Sequence, residues 1–261
     1  MFSTNVMDLH SLDPFPSADP AVLLLHGLGS ESSSWILQFE PLGAAGFRPI
    51  APDVPGFGAT PYDGRGWSVR GAANSIADEL SQLHAAPAHV VGLSMGGVIA
   101  QQLALDYPQL VRRLVLVNTF SHLRPDTLRG WLYFVRRAML VYTVGIRAQA
   151  AIVARDLFPD PAQEPIREIL IDQISRADPR AYRGAMRALG TYNSSRRLYE
   201  IQAPTLVVTG ERDTTISLRS QRLLVRLIPG ASQVIIPGAG HAVPVDHADA
   251  FNVALLDFLR R

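Results

Sequence analysis

The chain has 261 residues, 48% hydrophobic and 18% charged, which suits one large globular core or a core carrying an insertion. It has no cysteine, excluding disulfides, thiol nucleophiles and cysteine-ligated metal; its 24 basic side chains are all arginine, excluding lysine Schiff bases and a P-loop. The formal charge of +1 gives no basis for bulk nucleic-acid binding.

The start, Met1 to Asp8, lacks the basic and apolar regions of a secretory signal. No stretch reaches the roughly 18 apolar residues of a membrane span, so a cytoplasmic enzyme is expected. Residues 1–20 are rich in turn formers and predict an edge hairpin. Ala21 to Leu25 is a continuous apolar run suited to an internal parallel strand, and His26-Gly27-Leu28-Gly29 gives it a sharp exit. A helix is predicted over Ser34 to Ala45, a strand over Phe47 to Ile50, and a turn over Asp53 to Gly58. Ile76, Leu80 and Leu83 share one face of a helix predicted over Val69 to His84.

The chain then enters Val90 to Leu93, the run Gly92-Leu93-Ser94-Met95-Gly96-Gly97, a helix to Tyr107 and a strand over Arg113 to Val117. Strands alternating with helices predict an α/β domain with a mainly parallel sheet. Periodicity changes after Asn118. Residues 120–200 read as helical and hold thirteen arginines against eight acidic residues. Their bland reading is a solvated surface, and the sharper one an anionic acyl carrier or a membrane face. One helix is predicted over Trp131 to Tyr142 with Arg136 and Arg137 reaching solvent. Another carries Ile166, Ile169, Leu170 and Ile174, with Pro165 in its first turn and Pro179 as an interruption. Sheet character resumes at Pro204 to Thr209. It is followed by Gly210-Glu211-Arg212-Asp213, a helix over Ser217 to Leu227, a strand over Gln233 to Ile236, Gly240-His241, and a closing helix from His247. The expected organisation is a core of residues 1–119 and 201–261 with a helical insertion at 120–200.

Ser94, between glycines two residues away on either side, fits a strained strand-to-helix turn that lifts its hydroxyl above the sheet edge. A serine hydroxyl needs a base, and His241 follows a strand at the same expected edge; Asp213, after the preceding strand, is the preferred acid to orient it. A tight structural turn, a surface histidine and a helix-capping aspartate are the alternatives. Asp53 and Glu211 compete as acids and His26 as a base; Asp53 and His26 also fit turn roles, and Glu211 also fits contact with arginine or solvent, while His10, His84, His89 and His247 read as structural or surface residues. The backbone N–H groups of Leu28 and Met95 are expected to face the oxyanion. Trp35, Trp67, Met95, His122, Trp131, Phe134, Met139 and Tyr142 are candidate pocket residues, although this spacing equally describes core.

These motifs, in this order across successive strand ends, resemble the α/β-hydrolase family, especially compact serine hydrolases with a helical cap. The resemblance spans nearly the whole chain. It implies an α/β-hydrolase sheet flanked by helices, Ser94 as nucleophile, Asp213 as acid, His241 as base, Leu28 and Met95 as oxyanion donors, and residues 120–200 as a cap that selects substrate. It implies no metal or other cofactor, and a serine at position 94 argues against dehalogenase and epoxide-hydrolase chemistry. The expected activity is hydrolysis of a small or medium apolar acyl ester. Enol-lactone or other lactone hydrolysis, C–C hydrolysis, acyl transfer and a non-enzymatic ligand receptor are the alternatives.

Overall fold

The computed structural model describes residues 8–123 and 128–261. Its strands β1 (Ser11–Leu12), β2 (Ala21–Leu25), β3 (Arg48–Pro52), β4 (Ala88–Leu93), β5 (Val111–Val117), β6 (Thr205–Gly210) and β7 (Ser232–Ile236) form one sheet in the order β1-β3-β2-β4-β5-β6-β7. β1 is antiparallel to β3, and every other neighbouring pair is parallel. The expected edge hairpin is therefore replaced, among the described residues, by one short strand on β3; residues 1–7 of that prediction lie outside the described range. Because β2 has β3 on one side and β4 on the other, the winding reverses between β2 and β4. That reversal opens a crevice at their carboxyl ends, where ligands of open α/β sheets bind.

Helices α1 (Ile36–Ala44), α2 (Val69–Gln82) and α3 (Met95–Asp106) alternate with the early strands. Helices α4 (Leu128–Thr143), α5 (Ile146–Leu157), α6 (Glu164–Arg176) and α7 (Pro179–Thr191) lie between β5 and β6. The chain ends with α8 (Leu218–Leu227), α9 (Val243–Asp246) and α10 (Ala248–Leu259). Pro179 is the first residue of α7, where its missing N–H costs nothing, so it starts a helix as well as interrupting one. The period-two alternation of β2 divides the core. Leu23 and Leu25 join Ile76, Val90 and Val98 on one face, while Val22 and Leu24 join Trp35, Val91 and Phe251 on the other.

His89 on β4 is buried edge-on to Phe47, with ring centroids 5.8 Å apart. Burial, reinforced by nearby Arg112 and Arg113, lowers its pKa from 6.5 to about 4. Between those two values the unfolded chain binds a proton that the folded chain refuses, so the contribution destabilises the fold as pH falls through that window. His89→Leu is expected to flatten this dependence, sparing up to roughly 3 kcal/mol across it. Urea denaturation at both ends of the window measures the difference, and parallel pH dependences in wild type and variant would contradict it.

Candidate active site

Ser94 leaves β4 with φ 54° and ψ −111°. This conformation costs a non-glycine residue roughly 1–3 kcal/mol unless its surroundings impose it. Here the surroundings are close. A Cβ on Gly92 would lie 2.3 Å from the Gly96 carbonyl oxygen, and one on Gly96 would lie 2.0 Å from that of Leu25. The glycines thus let α3 begin directly against the end of β2. The Ser94 N–H donates to the Val117 carbonyl at 3.0 Å, and the Thr119 hydroxyl donates to the Ser94 carbonyl at 2.7 Å.

His241 follows β7. Its Nδ1 lies 3.0 and 3.1 Å from the two carboxylate oxygens of Asp213, fixing a proton on Nδ1 and leaving the Nε2 lone pair free to accept another. The carboxylate is almost fully buried and also accepts N–H bonds from Thr215 at 2.8 Å and Ile216 at 3.0 Å. The loops carrying acid and base are pressed together at Gly210, where a Cβ would lie 2.0 Å from the Gly240 oxygen.

Asn118 directly follows β5. It is fully buried with φ 42°, a left-handed conformation that asparagine tolerates. Its Nδ2 donates to the carbonyls of Gly240 at 2.9 Å and His241 at 2.7 Å, and its Oδ1 accepts from the Gly210 N–H at 2.8 Å. With Thr119, it braces the histidine loop, the acid strand and the serine turn. The available signal was a polar pair ending a buried apolar strand.

Ser94 and His241 border one cavity of about 420 Å³. Its wall is largely apolar, including Leu123, Phe134, Leu157, Phe158, Leu170 and Met186; Ser30, Ser33, Ser34, Gln173, Thr215 and Arg137 supply polar points. Leu28 also borders the cavity, whereas the Met95 side chain is buried in the core beneath. Among the described residues, neither the Leu28 nor the Met95 N–H has a hydrogen-bond acceptor.

The loop after β2 is clasped by α6. Ser30 donates to the Gln173 side chain at 3.2 Å, Gln173 donates to Ser33 at 3.1 Å, and Arg176 bonds Glu31 at 3.0 and 3.1 Å. At Gly29 a Cβ would come within 2.7 Å of Ile174.

A sequence model of the alpha/beta hydrolase family matches residues 22–254. The chain belongs to that family. The "Putative carbamate hydrolase RutD" of Variovorax paradoxus is 32% identical over 98% of this chain and 97% of its own. The 2-hydroxy-6-oxo-6-phenylhexa-2,4-dienoate hydrolase of Burkholderia cepacia is 30% identical over 92% and 87%. The enol-lactonase of Burkholderia xenovorans LB400 has a TM-score of 0.88 at 25% identity, covering 98% of each chain.

Within this alpha/beta hydrolase the competing residues take structural places. Asp53 accepts the N–H groups of Ser32 at 2.6 Å and Ala59 at 2.8 Å, and its carboxylate meets His10 at 2.9 Å. Burial opposes its charge, but the Ala59 and Ser32 N–H bonds outweigh it and lower the pKa. His26 bridges Gly27 O at 2.8 Å and the Val54 N–H at 3.0 Å, and burial lowers its pKa. These bonds make it a neutral pin between two turns. Glu211 accepts the Gly238 N–H at 2.8 Å.

Of the seven proposed aromatic, histidine and methionine pocket residues apart from Met95, Phe134 alone borders the cavity. Trp35 packs in the core against Phe251, Trp67 donates to Pro55 O at 3.1 Å, and His122 meets Ser195 at 2.9 Å. Trp131, Met139 and Tyr142 face solvent, because the inner face of α4 is the one holding Phe134, Arg137 and Val141. Arg137, expected in solvent, is buried in the cavity wall, with Nη2 3.4 Å from the Tyr182 hydroxyl. Among the described residues, no group of three or more His, Asp or Glu side chains is placed to hold a metal ion.

Asn118→Ala leaves the Gly210 N–H and two carbonyls buried without this partner. It is expected to cost roughly 2–4 kcal/mol, read as a lower denaturant midpoint at unchanged m-value. A midpoint equal to wild type would show that the brace is dispensable.

Proposed function

We propose that the protein is a serine hydrolase that cleaves a carboxylic ester of a small or medium apolar acyl group through an acyl-enzyme. The observation that supports this most is the convergence of a strained Ser94 and an Asp213-oriented His241 on one cavity with a mainly apolar wall.

In this mechanism Ser94 Oγ attacks the acyl carbon while His241 Nε2 takes its proton. The resulting oxyanion is held by the Leu28 and Met95 N–H groups, each well-aligned donor contributing about 3 kcal/mol. Collapse breaks the ester bond as His241 returns the proton to the departing alcohol. His241 then draws a proton from water as it attacks the acyl-Ser94 ester, and returns that proton to Ser94 Oγ as the acyl–Oγ bond breaks, releasing the carboxylic acid and restoring the free enzyme. Asp213 keeps the imidazole in the required tautomer and stabilises its protonated form. Residues 120–200 act as a cap over the core formed by 1–119 and 201–261, with Phe134 and the α6 residues Ile166 and Leu170 shaping the acyl site.

A second reading, carbamate hydrolysis, is favoured by the name of the Variovorax relative. The same groups can attack a carbamate carbonyl. The apolar wall favours the ester, since a compact polar substrate would leave that wall unmatched.

A paired assay with short aryl esters, lactones and aryl carbamates at matched leaving groups separates these readings, with linear esters expected to turn over fastest. Intact-mass spectrometry is expected to find one acyl adduct on wild type and none on Ser94→Ala, whose turnover falls by about a thousandfold or more. Undiminished turnover in Ser94→Ala would sink the mechanism; faster carbamate turnover would reassign the substrate.

A further inference from the structure

Helix α4 turns one face to the cavity and a second apolar face to solvent. Leu128, Trp131, Leu132, Val135, Met139 and Tyr142 recur at helical spacing, each between 42% and 74% exposed. They form a stripe roughly 20 Å long. Contiguous apolar surface of this kind marks an interaction site more often than a bare surface.

Charge identifies the partner. Residues 128–155 contain no acidic residue and five arginines, of which Arg137 turns to the cavity. Arg136 is exposed one position along from Val135, and Arg187 donates to the Tyr142 hydroxyl at 3.3 Å, placing another cation at the far end of the stripe. A second copy joined across a two-fold axis through the stripe would set Arg136 and Arg187 toward their own copies, with no carboxylate on α4 or α5 before Asp156 to compensate. An anionic partner removes that repulsion.

We propose that the outer face of α4 docks on an anionic lipid surface. Such a surface receives the apolar side chains at the acyl boundary, the guanidiniums at the headgroup phosphates, and Trp131 and Tyr142 at the level between them. Docking is peripheral: among the described residues no helix is long and apolar enough to cross a membrane. Since Phe134 and Arg137 line the cavity from the opposite side of α4, the lipid surface would lie about one helix diameter, roughly 10 Å, from the cavity. The proposal does not depend on which bond the site cleaves.

Co-sedimentation of the full chain with phosphatidylcholine vesicles, with and without phosphatidylglycerol, tests it. Recovery on the anionic vesicles is expected to be about tenfold higher. The double variant Leu132→Glu/Val135→Glu is expected to lose that excess while keeping the wild-type thermal melt. Equal recovery on both vesicle types, or undiminished binding by the folded double variant, would overturn the proposal. So would a wild-type dimer in light scattering that the double variant abolishes, since a second copy would then cover the stripe. Retention on an acidic carrier protein with none on vesicles would also overturn it, by assigning the face to a protein partner.

Discussion

The site depends on backbone approaching backbone more closely than any side chain permits. Gly96 lies against the end of β2, Gly92 against the first turn of α3, and Gly210 against Gly240. A Cβ at any of these points meets a carbonyl oxygen at 2.0–2.3 Å, and in a packed parallel sheet neither partner can retreat cheaply. These contacts bring the Ser94 turn to the same edge as the Asp213 and His241 loops, which lie more than a hundred positions further along the chain. The unusual dihedrals of Ser94 are maintained by that crowding, not by the serine itself.

A second layer of constraint fixes the polar groups. Asn118 and Thr119 sit where β5 ends, between the serine strand and the acid strand, and distribute their hydrogen bonds among all three loops. Buried polar networks of this sort rigidify only when every member is satisfied. The amide of Asn118 does this with two donors and one acceptor at fixed positions; an aspartate in its place would turn a lone pair toward the carbonyls that now receive an N–H.

Much of the architecture was legible because its signals are local. Continuous apolar runs gave the buried strands, and Gly-x-Ser-x-Gly gave the turn. Asp213 and His241 stood out by following strands at glycine-rich exits. The pocket was not legible, because its lining depends on which face of α4 and α6 turns inward. Trp131 and Phe134 are three residues apart and end on opposite sides of the wall, while Arg136 and Arg137 divide between solvent and cavity. Helical spacing states that a stripe exists but not what covers it. Asn118 escaped notice for a related reason: its value lies in two loops about 90 and 120 positions away in the chain.

The clasp between α6 and the loop after β2 joins the cavity wall to the loop that carries Leu28. Gln173 and Arg176 grip Ser30, Glu31 and Ser33, immediately beyond Leu28, while Ile166 and Leu170 of the same helix line the cavity. In the proposed mechanism an oversized acyl group that pushes α6 outward also drags the Leu28 amide away from the oxyanion. Discrimination by size then falls on the chemical step itself, so a poor substrate can occupy the enzyme yet turn over slowly.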